Sequence, residues 1–492
     1  MTNRGRQRMS NRGRRRMSKL PAFAVSLVLT GCVVGPNYQA PTTTTGPDRW
    51  STTSGEPTSA EALKSFWTGF ADPELTRLIQ QAIESNYDLK IAGERIRAAH
   101  DMVRVAASAS LPQVGIGAAA ESRRETQSID WPPASPKYGE YPYYSLGFDA
   151  SWELDLFGEI HRRKESAQAA ADAAVETRRD ILVSLTAAVA STYLSLRTTD
   201  LRLQIAHENL DIARQTQKLA HHAFESGERS HLDVSEADGR VHGVEATIPP
   251  LQEHSDELTH ALAILLAQAP AQFETRDLHT DGAIPAPPPL PPSLPSEVIA
   301  RRPDIRRAER EYAQSNADVG VAVAALYPHF SIPLTIAPTT SQIHTLFQGA
   351  SLLWRMGLDG SQSLYSGGRL TASVDAARAD KEAALFSYEQ TVLKAFGEVE
   401  DSLSSQVTEE SHYRALTAQL ADNRQALHEA QERYRRGEEA LLPVLEDQQI
   451  LYATQDAQVT SALTRCLADI SLFKALGGNW QEVALPNVVA ER

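Results

Sequence analysis

The chain has 492 residues, 22% of them charged and 7% aromatic, and a formal net charge of −14. That is long and apolar enough to bury sizeable cores. Residues 1–31 hold eight Lys/Arg and no acid, so without them the charge moves from −14 to −22; a chain that acidic is a poor partner for nucleic acid and favours cationic over anionic solutes.

The first element is an export signal. A basic stretch ends at Lys19, and a short apolar run from Leu20 leads into Leu29-Thr30-Gly31-Cys32. The run is too short to span a bilayer, as the apolar part of a signal should be. Small residues before a cysteine resemble the lipobox of bacterial lipoproteins, in which the thiol takes a diacylglycerol and the cysteine becomes the new N-terminus. The resemblance implies that Cys32 carries diacylglycerol and an N-acyl chain. Val33, in place of the aspartate associated with inner-membrane retention, implies sorting to the outer membrane. An uncleaved short anchor is the alternative, and Met1, Met9 and Met17 all remain as starts. With Cys32 acylated, only Cys466 is left and no intrachain disulfide can form.

Segments 41–60 and 276–296 are linkers, the second rich in proline, while 72–110 and 297–326 read as amphipathic helices. Each of these leads into a segment with period-two alternation. Val114, Ile116, Ala118 and Ala120 share one face of the first strand. Tyr144, Leu146, Phe148, Ala150 and Trp152 oppose Ser145, Gly147, Asp149 and Ser151 in the second. Phe330, Ile332, Leu334 and Ile336 form the third apolar face, and Leu352, Trp354, Met356 and Leu358 the fourth, alternating less cleanly with Leu353, Arg355, Gly357 and Asp359. Strands of about nine residues with one apolar face suit a membrane β-barrel. Four strands cannot close one, and open edges cannot sit in lipid, so several chains must share a barrel. Apart from the signal, no segment reaches 18 consecutive apolar residues, so no transmembrane helix is expected.

The rest is long helix, written twice. At an offset of 210 residues Gly147 falls on Gly357, Gly158 on Gly368, Phe224 on Tyr434, Gly227 on Gly437 and Leu266 on Leu476. A constant offset over about 120 residues marks two tandem copies of one unit. Leu182, Val189, Leu196, Leu203, Leu210, Gln217 and Phe224 step by seven, as do Val392, Val399, Gln406, Tyr413, Leu420, Leu427 and Tyr434. Such seams predict coiled-coil-like packing along rods of roughly 100 Å. Gly227 and Gly437 interrupt the two rods where the chain must reverse.

Several ordered motifs resemble the outer-membrane factor family. They are Cys32-Val-Val-Gly-Pro-Asn-Tyr38, Asp72-Pro73-Glu74-Leu75, Trp152-Glu-Leu-Asp-Leu-Phe-Gly158, Arg302-Pro303-Asp304, Tyr365-Ser-Gly-Gly-Arg369 and Ala475-Leu-Gly-Gly-Asn-Trp480. The match is to TolC-like proteins, nearest to the NodT/OprM-type lipoproteins of resistance-nodulation-division efflux systems, and covers residues 29–480. The resemblance implies a mainly α fold with a membrane β-barrel, closed as a homotrimer. Each chain would give four strands to a twelve-stranded barrel and helical hairpins to a periplasmic α-barrel. It implies a passive exit duct in the outer membrane, served by a periplasmic adaptor and an inner-membrane pump. It also implies a closed periplasmic aperture at the hairpin tips. Carried over residue by residue, the aperture acids are Asp233 and Glu446, with Tyr434 and Phe224 as hydrophobic neighbours. Glu439 stands where the TolC pattern has a basic residue, and Pro443 where it has an acid, which argues against an inter-chain salt bridge there. Asp149 and Asp359 would line the barrel lumen.

No metal-ligand spacing, nucleotide loop or nucleophile elbow appears, so neither an enzyme nor a cofactor is expected. His221 and His222 are adjacent and point to different sides of a helix. The expected division is signal 1–31, lipid anchor and linker 32–60, first repeat 61–275, linker 276–296, second repeat 297–480 and tail 481–492. A type I protein secretion outlet and a non-conducting periplasmic scaffold or adaptor are the rival readings.

Overall fold

A computed structural model describes residues 33–41, 50–51, 63, 65–124, 140–273, 284–288, 290 and 295–480. The export signal, Cys32, residues 125–139 and the tail 481–492 lie outside the described residues. The chain forms two compact units: a strand unit of residues 1–36, 107–163 and 320–374, and a helical unit made of the rest.

The strand unit holds β1 (Gln113–Arg124), β2 (Glu140–Leu154), β3 (His329–Thr340), β4 (Leu352–Met356) and β5 (Asp359–Ser361). The sheet is antiparallel in the order β1-β2-β3-β4, with β5 also on β3. The single fourth strand expected from sequence is broken in two. Its register on β3 continues across the break, with Met356 opposite Leu334 and Asp359 opposite Ser331, but Pro333 has no N–H to give the ladder there. Leu358 therefore falls in the gap rather than in a strand. At Gly147 β3 leaves no room for a side chain: a Cβ there would lie 2.3 Å from the Ala337 Cβ.

Before the first strand, Val33–Pro36 packs against the chain that leaves β2. Val34 N–H donates to the Phe157 carbonyl (3.1 Å), and the buried Arg162 donates from Nε to the Val34 carbonyl (3.2 Å).

The helical unit contains α1 (Phe66–Gly69), α2 (Pro73–Ser85), α3 (Tyr87–Ser108), α4 (Glu159–Glu225), α5 (His231–Glu245), α6 (Ile248–Leu265), α7 (Pro295–Arg301), α8 (Pro303–Ala324), α9 (Arg369–Arg435) and α10 (Leu441–Ala475), with α3, α4, α8 and α9 extending into the strand unit. The two amphipathic helices expected before the strands are each two helices. Asn86 ends α2 and caps α3, its Oδ1 accepting from Asp88 N–H at 2.8 Å. Pro303, without an N–H, stops α7 and opens α8.

The repeat holds to the residue: α4 and α9 both have 67 residues, and their first residues, Glu159 and Arg369, are 210 apart. The second arms differ. α10 runs unbroken for 35 residues, whereas its counterpart is split into α5 and α6. Pro249 and Pro250 sit in the first turn of α6 and force the split.

The main core lies where the middles of α4 and α9 meet α1, α2 and the C-terminal end of α10. Phe66 stacks on Phe473 with centroids 4.5 Å apart, and Tyr193, Leu196, Val392 and Val399 are buried around them. Asp72 ties this core together: Oδ1 caps α2 by accepting from Leu75 N–H (3.1 Å), and Oδ2 accepts from Tyr193 Oη (3.0 Å) and Arg197 Nη1 (2.7 Å). An 18-residue window of α4 is apolar enough to cross a membrane by length and composition, but 61% of it is buried in the protein, as in a core helix.

Candidate functional site

Both helical hairpins reverse in the same way. Gly227 and Gly437 each adopt φ +75°, a left-handed conformation that glycine takes at least cost. Gly227 N–H donates to the Phe224 carbonyl (2.9 Å) and Glu228 N–H to Ala223 (2.9 Å); Gly437 and Glu438 repeat the pattern to Tyr434 and Arg433, both at 3.0 Å. This closure satisfies the last carbonyls of each long helix.

The two tips then dock on each other. Arg229 Nη2 donates to the Glu439 carbonyl (2.9 Å), and its guanidinium lies 5.3 Å from the centre of the Tyr434 ring. Further from the tip, Arg240 Nη2 donates to the Leu445 carbonyl (3.1 Å) and to Gln449 Oε1 (3.0 Å), and Gln448 Nε2 donates to Thr216 Oγ1 (2.8 Å). Ala220, Ala237, Leu427, Leu441 and Val444 pack in a small core beneath Tyr434.

Asp233 and Tyr434 share this environment. Burial raises the Tyr434 phenol above its ordinary value, the Asp233 charge adds to that, and Arg229 opposes it. Asp233 accepts from Ser230 Oγ at 3.1 Å, as an acid in the first turn of α5 readily does. Glu439 is paired within the chain, accepting from Arg433 Nη1 at 3.2 Å. Glu446 is exposed on α10 and has no ion pair among the described residues. Phe224 is 41% exposed and sits edge-on to His231 at 5.5 Å, whereas its repeat partner Tyr434 is 9% exposed. Arg229, at the centre of the docking, is absent from the residues singled out from sequence. The 210 offset held the signal, because it sets Arg229 opposite Glu439, a charge reversal between otherwise matching turns.

The sheet carries a second set of groups. Gly115, Asp149, Thr335 and Arg355 lie in one row across β1–β4, on the polar face. Thr335 Oγ1 donates to Asp149 Oδ1 (3.0 Å), and Arg355 Nη2 lies 3.9 Å from Asp359 Oδ2. Arg355, expected only as part of the fourth strand's alternation and not as a lumen residue, sets a positive charge beside Asp359. The neighbouring row, Ile116, Phe148, Ile336 and Trp354, belongs to the opposite face, where Ile116 is 68% and Trp354 70% exposed. An apolar sheet face this open to its surroundings belongs in lipid.

A sheet with a lipid-type face, carried by a chain of paired long helical hairpins, defines an outer-membrane channel subunit. Residues 78–268 and 294–478 each match the family model described as outer membrane efflux protein, and the chain belongs to that family. It is 30% identical over 442 residues to the pyoverdine export outer membrane protein OpmQ of Pseudomonas putida, covering 88% of this chain and 92% of that one. It is also 30% identical over 471 residues to the toluene efflux pump outer membrane protein TtgI of Pseudomonas putida, covering 94% and 98%. Among solved structures, the outer-membrane channel OprN superposes with a TM-score of 0.84 at 34% identity, covering 92% of this chain and all of OprN.

Proposed function

We propose that this protein is the outer-membrane exit duct of a tripartite efflux system, conducting small molecules passively to the exterior. The observation that carries this is the sheet with one exposed apolar face and two edges, β1 and β4, that are unpaired among the described residues, in a chain that also builds two long hairpins. Such edges cannot remain open in lipid, and association of copies edge to edge closes them. In this reading three copies form a twelve-stranded barrel in the membrane, and their hairpins form a tube in the periplasm. Cys32, carrying a diacylglycerol and an N-acyl chain, anchors each copy to the membrane.

A resistance-nodulation-division pump in the inner membrane supplies the energy, and a periplasmic adaptor engages the hairpins. The duct itself has no catalytic, metal or cofactor role. The tips form the aperture. Tyr434 and the Arg229 contact hold the two hairpins of a protomer together, and Asp233 and Glu446 present acid to the passage. Opening is a shift of population that adaptor contacts made only with the open state would favour.

Single-channel conductance of the mature protein in a planar bilayer tests this. A small, cation-selective conductance that rises in Asp233→Ala/Glu446→Ala is expected. A wild-type channel already wide open would remove the acids from the gate but keep the duct. Absence of conductance from a membrane-inserted oligomer would favour a scaffold instead.

A further inference from the structure

The chain passes between its two repeats along a strap, Ile284–Pro288 with Leu290, that runs over α9 and α10. The strap is seated at three points. Leu290 is buried in the main core. Pro288 rests on Gly69, where an added Cβ would stand 2.7 Å from the Pro288 Cβ. The Pro285 carbonyl accepts from the Cys466 thiol at 3.4 Å. Beneath the strap is a cavity of about 350 Å³, with Ala286, Pro287 and Pro288 on one side and Gln406, Glu410, Arg465 and Asp469 on the other.

Asp469 is 4% exposed and accepts from Gln406 Nε2 at 2.5 Å. Among the described residues, the cation whose charge acts on Asp469 is Arg465, and it is engaged elsewhere: Nη1 binds Glu410 Oε2 at 3.1 Å, and the guanidinium lies 4.4 Å over the Tyr413 ring. The strap offers no charge, and its prolines have no N–H. A carboxylate so placed needs water, and the cavity is large enough to hold several molecules.

We propose that Asp469 is a proton-binding site that sets how firmly the inter-repeat strap is seated: the neutral acid lets the strap close, and the charged carboxylate draws water beneath it and loosens it. The groups facing Asp469 are Gln406 and Glu410 from α9 and Arg465 and Cys466 from α10, with Gly69 and the uncharged strap above. Burial pushes the Asp469 carboxyl up to about 6; Gln406 and Arg465 oppose this and Glu410 adds to it. Against its ordinary value of 3.8, that favours the loosened strap by on the order of 100-fold once the group is charged.

Hydroxyl-radical footprinting of the full-length protein at pH 5.0 and pH 7.5 tests the proposal. Oxidation is read by mass spectrometry at Leu290 and Cys466 and normalised to the exposed Leu364. We expect several-fold more oxidation at pH 7.5 in the wild type, and low, pH-independent oxidation in Asp469→Asn. Gly69→Val, which displaces Pro288, should be high at both pH values, and Glu410→Gln should move the wild-type midpoint to lower pH. Equal protection of the wild type at both pH values would overturn the proposal. So would an unchanged pH response in Asp469→Asn, or no gain in Gly69→Val.

Discussion

Arg229 and Glu439 occupy the same position in the two repeats, and in the folded protein the guanidinium of the first donates to the main-chain carbonyl of the second at 2.9 Å. The acceptor is backbone, so the contact needs an arginine on one hairpin and nothing particular on the other. This is how two matching turns, with opposite charges at matching places, come to dock.

Arg229→Ala should therefore loosen the hairpin tips. A half-buried, charge-assisted hydrogen bond contributes about 1–2 kcal/mol. Single-channel recordings should show a higher open probability than wild type by roughly tenfold, the effect of ~1.4 kcal/mol on a two-state aperture. Glu439→Gln should change little, because the acceptor is its carbonyl. Equal effects of the two substitutions would mean that side-chain charge governs the contact instead.

Tyr434 separates packing from polarity at the same place. Its hydroxyl is buried with no hydrogen-bond partner among the described residues. Tyr434→Phe should leave thermal stability within ~1 kcal/mol of wild type, while Tyr434→Ala, which empties a core position, should cost about 3 kcal/mol. Thermal unfolding followed by circular dichroism distinguishes the two.

Gly147 gives a test of the sheet. Its Cβ position is 2.3 Å from the Ala337 Cβ, whereas an added Cβ at Gly115 meets nothing within 4 Å. Gly147→Val should prevent recovery of the protein in the outer-membrane fraction, and Gly115→Ala should be recovered at wild-type levels. Normal recovery of Gly147→Val would show that β2 and β3 can move apart there.

Arg355 should temper the cation preference expected from Asp149 and Asp359. Arg355→Gln should raise the cation-to-anion permeability ratio, measured from reversal potentials in a salt gradient. All three side chains are exposed and screened, so the change should not exceed about fivefold, the equivalent of ~1 kcal/mol. A shift toward anions would place Arg355 away from the conducting path.

Asp469 makes stability depend on pH with a definite sign. Its carboxyl sits at about 6 in the folded protein, above the ordinary 3.8, so the folded state holds the proton more tightly. Stability should fall as pH rises from about 4 to about 6 and stay low above that. Asp469→Asn, always neutral, should match wild type near pH 4 and exceed it at pH 7.5 by on the order of 2 kcal/mol. A variant less stable than wild type at pH 7.5 would show that the charged form is well solvated.

Much of the architecture was legible because it repeats at short range. Alternation at period two marked the strands from Val114 to Met356, and the seven-residue steps through Leu182 and Val392 marked the helices. Gly227 and Gly437 marked the turns, since a left-handed residue after a helix favours glycine whatever surrounds it. Where an irregular residue intervened, the reading blurred. Asn86 and Pro303 each split a helix that the apolar pattern carried through, Pro333 split the fourth strand, and Pro249-Pro250 broke one return helix but not its copy.

The sequence by itself determined the tandem repeat, the strands and helices, and the places where the hairpins reverse, because each rests on neighbours a few residues apart. Only the tertiary structure decided which groups meet. It put Arg229 on the Glu439 carbonyl, Asp233 beside Tyr434, Thr335 on Asp149 and the proline strap over Asp469, and it left Phe224 and Glu446 exposed. Those pairings join elements far apart in the chain, where packing geometry selects the partner and no local period records it.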